Sequence, residues 1–443
     1  MNELLTKGIG HTEFKDSPVG KIPVGWEVKR LSEISERIWI GLVTTMTKFY
    51  VEKGTPLIRN SDIKESGVEM HKLIYLDLQF ANDNLSRSVK TGDVVTVHTG
   101  DVGTSAVIDE KLSGAQGFAT LNTRLNLQHM IPEFYSSVLN SDLFKMQVKR
   151  VITGDGRDNL NLKDFVKLLI VVPDLIPEQQ KIASILTSVD EVIEKTQSQI
   201  NKLQYLKKGT MNELLTKGIG HTEFKDSPVG KIPKGWEVFS IGNLIYKGLI
   251  QSIQDGNHGA KHPKVDDFTE KGIPFVMASD IKKGVLNIGS AKKIPLHIYD
   301  GLRIGFAKSG DVLLTHKATI GSTAIIQEHI PHVMLTPQVT YYRVGKEGGL
   351  LNRFLCYWFQ SCWFQESIFN LSAQSTRSYI GITAQKELLV LLPPLSEQQK
   401  IASILSSMDS HIEEKQRKLE QTQSLKKSLM QDLLTGKVRV TVH

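Results

Sequence analysis

Cysteine is almost missing from this chain. Of 443 residues only Cys356 and Cys362 carry a thiol, too few for a disulfide framework, so a reducing cytoplasm is the expected setting. Long apolar runs are missing too. Nothing approaches the ~20 residues of a membrane span, and the polar start, residues 1–12, does not read as a signal peptide. Charge of one sign is not dominant: 54 Lys and Arg stand against 47 Asp and Glu, a net +7 that permits a nucleic-acid partner without requiring one. With 40% hydrophobic and 23% charged residues, a disordered or fibrous chain is excluded. The length predicts two to four domains at roughly 100–200 residues each.

Catalytic signatures are also missing. The Gly20-Lys21 and Gly230-Lys231 pairs lack the upstream glycine and the hydroxyl of a phosphate-binding loop, and Gly8-Ile9-Gly10 alone is a weak dinucleotide signal. No Asp/Asn-Pro-Pro-aromatic tetrapeptide of amino-methyltransferases occurs. His258 and His262 have metal-like spacing but sit in a Gly/Lys loop, so no metal site is expected. Cys356 and Cys362 are expected as buried thiols, and the aromatic run 354–364 as core.

What is present is a duplication. Residues 1–28 and 211–238 differ only at Val24 and Lys234. A second pair of blocks, 178–208 and 397–427, shares 18 of 31 residues at a shift of 219, and the closing MQDLLTG of 430–436 matches 211–217 and 1–7. Between them, 56–64 resembles 274–282 and 92–107 resembles 310–325. A period near 210 residues is too long for a solenoid unit, so this is a duplicated domain followed by a duplicated helix.

The helical blocks carry a seam. Ile182, Leu186, Val189, Ile193, Thr196, Ile200 and Leu203 follow a 4-3 spacing, and so do Ile401, Leu405, Met408, Ile412, Lys415, Leu419 and Thr422; Leu206 and Leu425 are placed at the ends. Pro177 is expected to open the first helix, a capping box Ser396-x-x-Gln399 the second, and Gly218 and Gly436 to end them. Each helix is expected to run about 39 residues, roughly 58 Å. One apolar seam on so long a helix needs a partner, and the duplicate supplies it. Because the first helix leads to the second domain, the second must run back: the pair is antiparallel and the chain quasi-circular. The diverged segments are expected to be α+β, with strands at 93–98, 104–108, 311–315 and 322–326 and helices at 132–149 and 350–369.

Polar loops fall at equivalent steps. Residues 153–160 carry Arg157 and Asn159, and residues 374–380 carry Arg377 and Tyr379; His98 and His316 each end a strand-like run, the second followed by Lys317. Arginine suits bidentate contact with guanine or phosphate. Arg59 and Lys64 in the 56–64 block, and His258 and Lys261 in the 253–261 loop, complete the candidate DNA contacts. The bland reading of each is a solvated surface loop.

The 392–405 segment LPPLSEQQKIASIL with its helix, its copy at 177–186, the Gly-Trp-Glu triplets at 25–27 and 235–237, and 253–258 followed by 272–275 and 279–281 together resemble the specificity subunit of type I restriction-modification systems. One departure stands out: the copy at 173–178 is one residue longer than 393–397, which leaves the start of the first helix open. The resemblance implies a lead-in at 1–23, a target recognition domain at 24–176, a central spacer helix at 177–217, a second lead-in at 218–233, a second recognition domain at 234–395, and a C-terminal spacer helix and tail at 396–443. It implies a non-catalytic cytoplasmic subunit that reads a bipartite, asymmetric double-stranded DNA site. Two methyltransferase subunits holding S-adenosylmethionine and two ATP-dependent restriction subunits would dock on it, and it would have no cofactor of its own and no membrane partner. Two rival readings are a stand-alone DNA-binding protein without methylase partners and an enzyme of unrecognised type.

Overall fold

A computed structural model describes residues 13–152, 158–258, 261–282, 284–345, 348–373 and 379–440. The chain divides into two compact units. Unit 1 joins the residues up to Ser198 with those from Gln416 onward; unit 2 is Gln199–Lys415. The last segment therefore folds with the first domain, as the quasi-circular reading requires.

Each unit holds the same parts. In unit 1 a four-stranded antiparallel sheet runs Ser105–Val107, Val94–Thr96, Leu121–Leu125, Ser35–Ile40, beside a mixed sheet running Gln116–Phe118, Thr55–Arg59, Ile74–Leu76, Tyr50–Val51. In unit 2 the first sheet is Ile250–Asp255, Val339–Val344, Val312–Thr315, Thr323–Ile325, and the second Lys292–Ile294, Ile273–Val276, His332–Leu335, Phe306–Lys308. Two-stranded ribbons, Trp26–Arg30 with Leu169–Pro173 and Glu237–Ser240 with Leu389–Leu392, tie the start of each unit to the strand that precedes its long helix.

The longer helices are α1 (Pro132–Leu139), α2 (Asp142–Val151), α3 (Ile176–Lys217), α4 (Asn352–Gln360), α5 (Cys362–Ala373) and α6 (Leu395–Leu434). Each expected helix at 132–149 and 350–369 is thus two helices. Ser141 and Ser361 break them: each is an N-cap-type serine whose hydroxyl accepts the N–H three residues on, from Phe144 at 3.3 Å and Phe364 at 3.2 Å. The aromatic run packs inward, with Phe354, Tyr357, Trp358, Phe359 and Phe364 all buried, and Cys356 with them; Cys362, expected buried too, is only half-buried at the start of α5.

The shared helical motif has a structural reason. Its first glutamine, Gln179 or Gln398, is fully buried. The Gln398 amide oxygen accepts the Leu351 N–H at 2.9 Å, and its nitrogen donates to the Gly349 and Pro393 carbonyls at 2.8 and 2.9 Å. Gln179 does the same with Ile131 N–H, His129 and Pro173, each at 3.1 Å. One side chain thereby satisfies the loop before α1 or α4 and the strand end before the long helix. Gln398→Ala leaves one buried and two half-buried backbone groups unpaired, and about 3 kcal/mol of unfolding free energy is expected to be lost, measured by urea denaturation. The expected capping box is corrected: the turn opening α6 is closed by Pro394, whose carbonyl takes the Glu397 and Gln398 N–H groups, and Ser396 lies inside the helix. Leu175 plays that part in α3, so the extra residue at 173–178 is absorbed upstream and both helices open 219 positions apart.

Glu397 lies beside the end of α3. Burial alone would raise its carboxyl, but the Ile219 N–H (2.9 Å), the Trp236 indole N–H (2.9 Å) and the His221 ring (2.8 Å) outweigh that and hold it below the ordinary carboxylate range. Gly218 ends α3 in the left-handed region at φ +67°, where a Cβ would stand 2.6 Å from that carboxylate and 2.7 Å from Trp236. Gly436 ends α6 in the same way, at φ +68°.

The helices pair antiparallel within each unit. In unit 1, Ile182, Ala183 and Leu186 of α3 share a core with Leu433 and Leu434 of α6. In unit 2, Met211 and Leu215 of α3 share one with Ile401, Ala402 and Leu405. Ile200 and Ile412 are buried, while Val189, Ile193, Leu203, Met408 and Leu419 are half-buried. Leu425 is a correction. It is 52% exposed, as is its twin Leu206 at 57%. The 4-3 spacing continued from Thr422 reaches position 426, not 425, so the leucines fall on the flank. The seam positions are Lys207 and Lys426, only 15% exposed, bonded to Asp409 (2.5 Å) and Asp190 (2.7 Å).

Candidate nucleic-acid interface

In each unit the polar loop and the histidine, matched between the repeats by position, meet. In unit 1 the chain leaves strand Val94–Thr96 through His98 and Thr99. Thr99 bridges Asn159, and the His98 carbonyl accepts the Leu160 N–H at 3.0 Å. In unit 2 Lys317 bridges Tyr379, and the His316 carbonyl accepts the Ile380 N–H at 3.0 Å. Each strand end therefore grips the residue just after the polar loop. The loop residues Arg157 and Arg377 lie outside the described residues.

The turn that follows is left-handed in both units. Gly100 takes φ +102°, and Ala318, at the matching step, takes φ +65°. A methyl-bearing residue in that region stores strain, which persists only where surrounding structure holds it. Here the clamped strand end holds it and turns Lys317, Ala318 and Thr319 to solvent, with Tyr379 alongside.

The histidines differ. His98 is half-buried; its Nδ1 lies 2.8 Å from the Thr99 hydroxyl, its backbone N–H donates to Asn60 Oδ1 at 2.8 Å, and burial pushes its pKa down. His316 is buried at 1% exposure, faces the Tyr379 ring with centroids 5.4 Å apart, and neither ring nitrogen has a hydrogen-bond partner among the described residues. Burial pushes it down; Asp255, 3.6 Å from Nε2, pulls the other way, and Lys317 adds to the depression. Such a ring cannot reach a base and supports the loop instead. Its depressed pKa sets a pH dependence. Above about pH 6.5 the ring is neutral folded and unfolded; below it the unfolded chain takes the proton first, so unit 2 loses stability as pH falls. The thermal midpoint of the wild type is expected to drop more than that of His316→Phe between about pH 7.5 and about pH 5.5.

The other candidates sit apart from this cluster. Arg59 is engaged: its Nε and Nη2 bind Asp62 at 2.9 Å each, and Nη2 also donates to the Lys72 carbonyl at 2.8 Å. Those bonds to Asp62 raise its pKa further. Lys64 is exposed in a short hairpin paired through Gly67. The His258 ring lies 3.1 Å from the Gly256 carbonyl, and the Lys261 carbonyl accepts Asn257 Nδ2 at 3.0 Å. His262 packs against Phe275, and no group of three metal-binding side chains is gathered among the described residues.

Sequence reasoning missed Asn60, whose amide also donates to the Ala119 carbonyl at 3.2 Å, and Asp255. Asn60 stands where the matching block has Ala278, so the comparison of blocks pointed away from it. It also missed that the aspartates of the two Gly-Asp-Val steps are structural. Asp93 binds Arg124 at 2.9 and 2.7 Å, and Asp311 binds Arg343 at 2.8 and 2.6 Å.

On one shared frame, then, the two units present different chemistry: Thr99 and Asn159 in the first, Lys317 and Tyr379 in the second. Asn159 is half-buried with its Oδ1 out of solvent, whereas the exposed Lys317 offers a point charge for phosphate or guanine.

Comparison with known proteins agrees with this duplicated frame. The chain is 29% identical over 448 residues to the type I restriction enzyme MjaVIII specificity subunit of Methanocaldococcus jannaschii, covering 96% of each chain. It is 23% identical over 454 residues to the MjaIX specificity subunit of the same organism, covering 97% of each. The fold matches the crystal structure of a type I restriction-modification S subunit from M. genitalium with a TM-score of 0.60, at 12% identity and over 96% of this chain and 98% of that one. The pattern of the type I restriction modification DNA specificity domain matches twice, at residues 23–205 and 233–422. Two such domains, one per repeat and together spanning most of the sequence, place this chain in the type I restriction-modification DNA specificity family.

Proposed function

We propose that the chain is the sequence-reading subunit of a type I restriction-modification complex, in which each unit reads one half of a bipartite, asymmetric DNA site. The observation that carries this is the pairing of one frame with two chemistries. Both units grip their polar loop with the same strand end, yet place half-buried Thr99 and Asn159 there in one and exposed Lys317 and Tyr379 in the other. Identical frames give equivalent docking on a duplex, and unlike side chains give unlike half-sites.

In this reading the chain is non-catalytic and cytoplasmic; among the described residues no helix is long and apolar enough to cross a membrane. Two methyltransferase subunits carry S-adenosylmethionine, and two restriction subunits carry the ATP-dependent cleavage. Half-sites on one face of a duplex lie about one turn, roughly 34 Å, apart, a spacing that a rigid helix pair can hold while rejecting others.

The test is to co-express the chain with its methyltransferase subunit and sequence the host methylome. One bipartite asymmetric motif carrying methyladenine in both halves is the expected result. Specific binding by the purified chain with no methylation in any combination would favour a stand-alone DNA-binding protein.

A further inference from the structure

Two of the three seam lysines, Lys207 and Lys426, form a charge code. Lys207 pairs with Asp409 inside unit 2, and Lys426 with Asp190 inside unit 1. The same shift of 219 relates Asp190 to Asp409 and Lys207 to Lys426, so each helix carries one aspartate and one lysine 17 positions further on. Along α3 the order is Asp then Lys; along an antiparallel α6 the partners come as Lys then Asp. Only one alignment satisfies both pairs. A shift by one heptad loses both, and a parallel in-register alignment sets Asp against Asp and Lys against Lys.

The apolar seam discriminates less. Between the two codes it includes Thr196, Lys415 and Thr422, with few large apolar side chains fully buried. Isoleucine and leucine tolerate a heptad slip, because each still meets an apolar neighbour. A charged group at a seam position does not, and such groups specify register at a cost in stability. Both ion pairs are also tied to the domains. Asp409 accepts the Tyr357 hydroxyl at 2.8 Å, and Lys426 lies 3.9 Å from Glu65, which also pairs with Lys145 at 2.6 Å.

We infer that Lys207–Asp409 and Lys426–Asp190 set the register and the antiparallel sense of the spacer helices. They thereby determine the single gap length at which the two half-sites are accepted. They are positioning residues: they touch no DNA and act through the placement of the readers. The inference rests on the proposed reading of a bipartite site and deepens it.

The experiment uses the full chain with its methyltransferase subunit and a set of DNA sites that share both half-sites and differ only in gap. The wild type is expected to methylate one gap. Lys426→Asp and Lys207→Asp each set two aspartates together, and each is expected to lose that gap or to accept others with unchanged half-sites. The paired reversals Asp190→Lys with Lys426→Asp, and Asp409→Lys with Lys207→Asp, are expected to restore the single gap. A double reversal with no restoration would overturn the code. Should the single reversals fail to fold, the apolar variant carrying Lys207→Met, Asp409→Leu, Lys426→Met and Asp190→Leu decides. It is expected to keep or raise the thermal midpoint while accepting more than one gap, and retention of one gap overturns the inference. A wild type that methylates no bipartite site refutes the parent reading instead.

Discussion

Inserting four residues after Gln199 and four more after Lys418 is expected to widen the gap in the methylated site by about two base pairs, because four helical residues add about 6 Å and a base pair 3.4 Å. Both half-site sequences are expected to stay unchanged. The insertions fall at the border between the two units, so Asp190–Lys426 stays whole in one and Lys207–Asp409 in the other. A four-residue insertion also keeps the helical repeat closely enough for a seam to continue past it. Methylome sequencing reads the outcome directly. Altered half-sites with an unaltered gap would mean that the helices do not act as the ruler.

The second large effect concerns the fragment 211–443, which holds one complete repeat. Alone it keeps Met211 and Leu215 over Ile401 and Leu405 but loses residues 176–210 of α3, which uncovers the later α6 seam, Ile412, Leu419, Leu433 and Leu434, and each large apolar side chain gains about 1.5–3 kcal/mol on burial. A second copy of α6 can take the place of α3, since the two are related by 219 positions. Asp409 of one copy then faces Lys426 of the other, twice over, in a true two-fold arrangement. The fragment is expected to be a homodimer at micromolar concentration. With the methyltransferase subunit it is expected to methylate a palindrome made of the second half-site. Lys426→Asp should leave it monomeric, and adding Asp409→Lys should restore the dimer; analytical ultracentrifugation distinguishes these. A dimer that still methylates only the original asymmetric site would refute one reader per repeat.

The sequence by itself determined the duplication, the two long helices with their antiparallel sense, and the α+β domains, because these rest on periodicity and on identity between distant blocks. It also matched His98 with His316 and the 153–160 loop with the 374–380 loop, by position alone; that each histidine's strand end meets its loop came only from the structure. Tertiary structure decided what those side chains do. His316 and Arg59 looked like DNA contacts because their type suits a base or a phosphate. Yet burial against Asp255 and Tyr379 removes His316 from solvent, while the Asp62 carboxylate and the Lys72 carbonyl engage Nε and Nη2 of Arg59 and leave its side chain 31% exposed. Leu425 looked like seam because it is apolar, while the seam position beside it belongs to a lysine whose partner lies 236 positions earlier in the chain. Spacing shows which residues share a face. Whether a polar side chain there is satisfied depends on a group brought in by another part of the chain, and only the folded structure supplies that group.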